Sequence, residues 1–403
     1  MPRLSLPLLA LLAGTAQAEP ISLQRGVNTT LWLEWPSIGD MLTDPRHLES
    51  YPDVRRDVTP AMYESLHAQG FDFVRMPIDP GPLVALGPGE RQDRLIDGIR
   101  IATETALDAG LKVVVDLHPI PRGEDIGGVE SIIGDHWPDY VTLVGRIAEG
   151  LSDLPADTVA LELLNEPPFD CDAVYGDTPA RWPAMQAEAH AAARAAAPDM
   201  TIVLTGACWS QANALASLDP AMIPDDNVLW TFHSYEPFLF THQGAGWTGP
   251  PAKYIWDLPY PPSDVTDEIA ARVAADAIAR MEAAEGQADR EMIEKAIADY
   301  RAISAEATAY DVNRAAEWAD QHGIPRSQLF FGEFGALHTD GDRRLPQEWF
   351  HAFLSEKRSV AEEAGIAWAV LTYVGGMGIA PADDPLRRLS PETCAALGLP
   401  CGN

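Results

Sequence analysis

Val-Ala-Leu-Glu-Leu-Leu-Asn-Glu-Pro-Pro-Phe, residues 159–169, ends an apolar run on an amide, a carboxylate and two prolines. Residues 159–164 are apolar at nearly every position, as expected of a parallel strand covered on both faces, and Pro167 and Pro168 cannot continue a ladder. The run therefore reads as a strand finishing at Asn165 and Glu166. In barrel and open α/β folds that end carries catalytic groups. An exposed loop glutamate is the plain alternative, and the rest of the chain has to decide.

Outward from this stretch, short apolar runs alternate with amphipathic ones to the C-terminus, the pattern of βα units around a parallel sheet. Strands are expected at 23–27, 71–75, 112–118, 159–164, 201–204, 228–232, 329–332 and 366–373. Between them, Thr59-Pro60 and Trp137-Pro138 read as helix starts, while Gly70, Gly150, Pro198 and Gly365 read as helix ends. About eight strands alternating with helices predict a closed (β/α)8 TIM barrel, an α/β fold, in a single catalytic domain over 19–403. A doubly wound sheet is the alternative, and no Gly-x-Gly-x-x-Gly follows the first strand to support it.

One connection, about 241–311 after the sixth strand, is far longer than usual. It holds Trp247, Tyr254, Trp256 and Tyr260 among glycines and prolines, then a helical Ala/Glu/Arg-rich half broken near Gly286. Leaving a strand's C-terminal end, it should sit over the barrel mouth. Its aromatic faces could stack on sugar rings or simply pack the insertion down.

Residues 1–18 have a basic start, an apolar segment and a small-residue cleavage site after Ala18, which reads as a secretory signal peptide. No segment approaches the roughly 20 apolar residues of a membrane span. A secreted or periplasmic monomer is expected. The four cysteines then suggest disulfides. Of three pairings, Cys171–Cys208 follows two strand ends and Cys394–Cys401 is close in sequence, and this combination is expected. No spacing suggests a metal site. With 28 basic against 60 acidic residues the net charge is −32, which disfavours nucleic acid, anionic lipid and polyanionic glycans. A neutral substrate fits better.

If the barrel is right, polar residues at strand ends converge on one mouth. Those residues are Arg75, His118, Asn165, Glu166, His233, Tyr235 and Glu333, the last in Leu-Phe-Phe-Gly-Glu-Phe-Gly, residues 329–335. Two carboxylates that close cannot both ionise easily, so one should hold a proton while the other, beside Arg75, stays charged. An acid and a nucleophile for glycoside cleavage are thereby separated. Glu162 shares parity with Glu166 but lies about 13 Å deeper. It reads as barrel interior.

Several of these stretches together resemble glycoside hydrolase family 5, the cellulase family of clan A retaining β-glycanases. Asn-Glu-Pro at 165–167 matches that family's acid/base strand end, and Gly-Glu-Phe-Gly at 332–335 its nucleophile strand. Phe-Val-Arg-Met-Pro at 73–77, Asp-Leu-His at 116–118 and His-Ser-Tyr at 233–235 match its second, third and sixth strands. The resemblance covers nearly the whole mature chain and implies a double displacement. Glu166 would protonate the leaving oxygen and later activate water; Glu333 would attack the anomeric carbon. It further implies that Arg75 and Tyr235 orient Glu333, Asn165 bonds the sugar 2-hydroxyl, His118 binds the ring and His233 sits beside Glu166. No cofactor or metal is implied.

The family usually places a tryptophan platform on the eighth strand, where this chain has Leu371. Trp368, three residues earlier and of opposite parity, should pack outside the barrel. Trp247, Trp256 or Tyr373 would then have to supply sugar stacking. The expected activity is an endo-β-1,4-glucanase acting on a neutral β-linked polysaccharide or oligosaccharide. Alternatives are a β-mannanase, a β-1,3 or mixed-linkage glucanase, a trimming accessory of polysaccharide synthesis, and a non-catalytic carbohydrate-binding barrel.

Overall fold

The structure is a computed structural model that describes residues 19–29, 35–36, 38–48, 59–120, 128–381 and 384–401. The expected leader, 1–18, lies outside the described residues. Eight strands form a closed parallel barrel: β1 Arg25–Asn28, β2 Phe73–Ile78, β3 Lys112–Leu117, β4 Val159–Glu162, β5 Thr201–Thr205, β6 Val228–His233, β7 Leu329–Phe334 and β8 Ala367–Val370. Each strand pairs with its sequence neighbour and β8 closes onto β1 through Arg25–Trp368 and Val27–Val370. The chain is thus the (β/α)8 barrel expected from the alternation of apolar and amphipathic runs.

Boundaries moved where chemistry and backbone compete. β4 stops at Glu162, not at 164, although Leu163 and Leu164 stay buried and the Asn165 N–H still bonds the Leu117 carbonyl at 2.8 Å. β8 has four residues in place of the eight expected, because the chain turns after Val370. β2 spans Phe73–Ile78, starting two residues and ending three residues later than the 71–75 expected. Thr59 precedes the helix Pro60–Ala68, yet its side chain makes no cap bond. Proline at the first helical position suffices there, since the N–H it lacks would be unpaired in any case.

Period-two alternation sorts the strand residues into two cores. Phe73, Val114, Ala160, Val203, Leu229, Phe330 and Ala369 point inward and plug the barrel. Their neighbours, such as Val74, Val113, Leu161, Ile202 and Phe331, face the helices. Trp368 belongs to this outer layer, edge-on to Phe71 and Phe334, as its parity requires. Phe73 fits only because β1 has Gly26 opposite: a Cβ there would lie 2.2 Å from the phenyl ring. Truncating such a plug residue to alanine typically costs about 3–5 kcal/mol.

One step of two residues above the plug, the interior turns polar. Phe73 gives way to Arg75, Val114 to Asp116, Ala160 to Glu162, Leu229 to Thr231 and then His233, and Gly26 to Asn28. The barrel therefore delivers a polar layer toward the C-terminal ends of its strands over a dry floor.

The connection between β6 and β7 carries helices Asp267–Glu285 and Arg290–Arg301, with Gly286 in the left-handed conformation between them at φ 79°. Thr266 and Asp289 cap the two, accepting from the Ile269 and Met292 N–H groups. Helix Tyr310–His322 then returns to β7.

Candidate active site

Arg75 is the hub of the polar layer and is fully buried. Its Nε and Nη2 donate to the two Glu162 oxygens at 2.7 Å each, a planar fork on a carboxylate. Nη1 donates to Asn28 Oδ1 at 2.9 Å and to Glu333 Oε1 at 2.5 Å, and Nη2 also reaches Asn165 Oδ1 at 2.8 Å and Asp116 Oδ2 at 3.0 Å. Burial opposes the guanidinium charge, but Asp116, Glu162 and Glu333 more than offset this and hold its pKa well above the usual value. Glu162 is raised, burial outweighing its arginine.

Glu333 receives this cation from below and the Tyr235 hydroxyl, at 2.6 Å, from the side. Burial alone would raise its pKa. His233 and Arg75 lead in overcoming that and bring it down to about 2, so Glu333 is held as an anion. Burial and the Glu333 charge raise Tyr235 well above the normal phenol range, which keeps the donated proton on the tyrosine.

Glu166 lies across from it. Its Oε1 faces His233 Nδ1 at 2.7 Å, and the same nitrogen is 3.7 Å from Glu333 Oε2. Burial lowers the His233 imidazole, but Glu333 and Glu166 together raise it. A carboxylate oxygen of Glu166 and one of Glu333 lie within 4.8 Å of each other. The imidazole has room because β7 carries Gly332: a Cβ there would lie 2.8 Å from His233 Nε2 and 2.5 Å from Thr231 Oγ1.

His118 faces Asp116 Oδ2 through Nδ1 at 2.9 Å and Asn165 Nδ2 through Nε2 at 3.1 Å. Burial pulls this imidazole down, whereas Asp116 draws it up to about 9. The Asn165 contact decides between them: with its Oδ1 committed to Arg75, Asn165 donates, and only a neutral imidazole protonated on Nδ1 offers the lone pair.

A family model, cellulase (glycosyl hydrolase family 5), matches residues 44–373. The chain belongs to glycosyl hydrolase family 5. Endoglucanase 3 of Fibrobacter succinogenes is 24% identical over 375 residues, covering 89% of this chain and 50% of that protein. Cellodextrinase A of Ruminococcus flavefaciens is 32% identical over 183 residues, covering 44% of this chain and 52% of its own. Measured on those matches, the chain spans about half the length of either relative. A solved hyperthermophilic endo-β-1,4-glucanase in complex with substrate superposes over 93% of this chain and 97% of its own, with a TM-score of 0.67 at 21% identity. That likeness establishes the shared barrel.

Within this family 5 barrel, all seven residues expected at strand ends meet in one group: hydrogen bonds link Arg75, His118, Asn165, Tyr235 and Glu333, and the hydrogen-bonded pair of His233 and Glu166 joins them through the 3.7 Å contact of His233 with Glu333. The stacking candidates divide. Trp247 is 67% exposed, edge-on to His242, which stacks on Phe238 at 4.1 Å and abuts Tyr235. Trp256 is buried under Gly244 with the Arg343 guanidinium over its ring, so neither face is free for a sugar. Tyr373 is buried too, its hydroxyl on the Arg387 carbonyl. Both expectations fail for one reason: the indole and phenol are the packing material of their loops. Leu371 is half-buried, and its carbonyl occupies the space a side chain on Gly335 would need.

The disulfides are Cys171–Cys208 and Cys394–Cys401, as expected. The first ties the segment after β4 to the turn after β5. There Cys208, Trp209 and Ser210 all have positive φ, at 48°, 62° and 53°, as does Glu166 at 42°. Each such residue costs of order 1–3 kcal/mol, and surrounding contacts must hold it. Here the Cys208 N–H bonds the Phe169 carbonyl at 2.9 Å and the Trp209 N–H bonds that of Pro167 at 3.0 Å.

Sequence reading missed Asn28 and Asp116, both direct partners of Arg75. A polar residue at the end of β1 and an aspartate two before His118 were the available signals. It also missed Asp311, whose carboxylate accepts from Ser234 Oγ at 2.6 Å. Ser234 stands between His233 and Tyr235, so the far end of the long insertion touches the segment at the end of β6. Next to it, Lys357 Nζ donates to the Thr308 carbonyl at 2.6 Å, and Thr308 bonds Glu356. Nothing in the sequence spacing links these positions.

Among the described residues, two triads bring donor atoms close enough for a cation: Asp116, His118 and Glu333, and Glu166, His233 and Glu333. Both draw on Glu333, whose Oε1 already faces a guanidinium at 2.5 Å. Like-charge repulsion at that range opposes a metal. The donor set suits proton traffic between carboxyl, imidazole and phenol groups.

Proposed function

We propose that this chain is a retaining β-glycanase that cleaves internal β-1,4 bonds of a neutral glucan. The observation that carries the reading is the Glu166–Glu333 pair. Two carboxylate oxygens stand within 4.8 Å, one on a permanent anion and the other beside an imidazole. Retaining glycosidases use carboxyl groups about 5–5.5 Å apart, and inverting ones need a wider gap for water. Glu333 attacks the anomeric carbon while Glu166 gives its proton to the departing glycosidic oxygen. A glycosyl-enzyme ester on Glu333 results. Glu166, now a carboxylate, takes a proton from water, which displaces Glu333 from the anomeric carbon and completes net retention.

Arg75 and Tyr235 keep Glu333 anionic and aimed. Asn165, fixed by Arg75 and His118, presents its amide to the sugar. His233 holds Glu166 and passes charge between the two steps. Support for a glucan comes from the relatives' names, endoglucanase and cellodextrinase, and from the net charge of −32, which suits an uncharged polymer. Trp247, on the insertion, is the sugar-stacking residue in this reading, and the insertion walls one side of the cleft. Two disulfides favour an exported enzyme.

Leu371, where the family usually has a tryptophan, favours a second reading: a barrel that binds glycan without turning it over. One experiment separates them. The purified protein is incubated with cellohexaose, soluble cellulose, mannan and laminarin, then the Glu333→Ala variant is tested with and without azide. Turnover lost in the variant and returned by azide as a glycosyl azide of inverted anomeric configuration supports the hydrolase. Full activity in Glu333→Ala would sink the assignment, and binding without any cleavage by the parent would favour the second reading.

A further inference from the structure

Three buried polar atoms on the barrel strands have no hydrogen-bond partner among the described residues: Asp116 Oδ1, Thr231 Oγ1 and His233 Nε2. Asp116 is engaged through its other oxygen, which meets Arg75 and His118. The remaining two stand on successive inward positions of β6 and border the same glycine, since a Cβ on Gly332 would lie 2.5 Å from Thr231 Oγ1 and 2.8 Å from His233 Nε2. A buried donor or acceptor left unpaired is costly. A hydroxyl and a ring nitrogen that share one bare backbone are natural partners.

The opposite ring nitrogen fixes what Nε2 must do. Nδ1 faces Glu166 Oε1 at 2.7 Å and Glu333 Oε2 at 3.7 Å, and a nitrogen flanked by two carboxylates is held as N–H. A second ring proton then goes to Nε2, so that atom decides between neutral imidazole and imidazolium. The charged groups around the ring are Glu166 from the turn after β4, Glu333 from β7, Glu162 from β4 and Arg75 from β2. The carboxylates favour the cation and Arg75 opposes it. Tyr235, on the ring's own strand end, donates to Glu333, and the turn after β5 meets His233 through the Gln211 backbone and brings no charge. Both Glu162 oxygens are committed to Arg75, and the Thr205 hydroxyl is committed to the Thr231 carbonyl at 3.1 Å. The Thr231 hydroxyl is free for Nε2.

We propose that Thr231 is a positioning residue for the acid/base pair, its hydroxyl accepting the Nε2 proton of His233 and thereby letting the ring carry charge beside Glu166. This rests on the hydrolase reading above. Thr231 touches no substrate and acts only through the imidazole. A hydroxyl suits the place because it can accept from Nε2–H in the imidazolium and, after rotating, donate to the bare nitrogen in the neutral ring. Neither state of His233 then leaves a buried atom unpaired. The cation has a use in the second step: with Glu166 a carboxylate and Glu333 neutralised as an ester, a charged ring holds Glu166 in place to receive the proton of water. Gly332 makes the arrangement possible, since any side chain there would press on both partners.

The test reads the ring and the reaction separately. Protein labelled with ring-15N histidine is titrated by long-range 1H–15N NMR, the His233 signals being assigned by their loss in His233→Gln. The pH profile of kcat/KM on cellohexaose is recorded beside it. Parent, Thr231→Val, Thr231→Ala and Thr231→Ser are compared; Val keeps the shape, Ala relieves any crowding, and Ser restores the hydroxyl. An acceptor at Nε2 favours the charged ring, so its removal in Val or Ala should lower the His233 titration by about half to one pH unit. Because Glu166 and His233 share their last proton, the alkaline limb of kcat/KM should move to lower pH with it, and Ser should return both. A ring titration unchanged in whichever of Val and Ala folds overturns the proposal and leaves the hydrolase reading standing. Equal activity losses in Val and Ser with the limb unmoved, the mark of mere packing, also overturn it. A parent that cleaves no glucan while its ring titration still depends on the hydroxyl keeps the Thr231–His233 pairing and removes the hydrolase. An inactive parent with an unchanged ring titration removes both.

Discussion

Glu333 and Glu166 face each other, yet their surroundings are built on opposite plans. Glu333 sits within β7, its side chain 4% exposed, with a buried guanidinium and a phenol committed to it. Glu166 lies four residues beyond the end of β4, 23% exposed, in a left-handed conformation, with one imidazole on its carboxylate. One is held by a regular strand and a dense charge network; the other by a strained turn tied down from outside. The difference suits a group that must stay charged and a group that must exchange a proton with solvent and substrate.

Breaking the enclosed side should have the largest effect. Arg75→Met leaves Asp116, Glu162 and Glu333 buried without their cation, so stability should fall by about 3–5 kcal/mol and activity should vanish, read by denaturant unfolding and by assay. The same network sets an acid dependence. With its folded pKa depressed from 4.5 to about 2, Glu333 contributes stability fully present above about pH 4.5 and lost as pH falls toward 2. The parent's unfolding free energy should decline through that window, and in Arg75→Met the decline attributable to Glu333 should shrink. An identical pH profile in both would show that the network does not hold Glu333.

Glu166→Gln tests the rim. Polysaccharide cleavage should drop on the order of 10²–10³-fold, whereas an aryl glycoside with a good leaving group, needing little acid help, should lose less than about tenfold in its first step. Equal losses on both would contradict the acid assignment. Tyr235→Phe is smaller: it removes one donor from Glu333, so the rate should fall about tenfold and the acid limb of kcat/KM should move to higher pH. Asp311→Asn should be the mildest, a few-fold loss in kcat with little change in KM, since it touches the site only through Ser234.

How much of this was legible in the sequence follows from the reach of each interaction. Strand polarity is local, so the eight strands and the seven polar residues at their ends could be read from apolar runs that stop on Arg75, Glu166 or Glu333. Parity also placed Glu162 and Trp368 on the right sides of the wall. Loops obey no such period. Trp256 and Tyr373 looked like free platforms because nothing local says that Arg343 and Arg387 will meet them. The positive φ of Glu166 and of Cys208 to Ser210 is imposed by contacts between separate connections, which no single stretch encodes. Asn28 went unnoticed because its role exists only once the barrel closes and brings β1 beside Arg75.

The Ser234–Asp311 bond gives the long insertion a second identity. A segment fastened at its far end to the residue between His233 and Tyr235 cannot be treated as detachable trim. Trading 241–311 for a short turn, as one would to graft a new specificity onto this scaffold, also removes Asp311 and the Thr308 carbonyl that engages Lys357. A designer who wants a different groove has to keep that far end in place and rebuild only the part between.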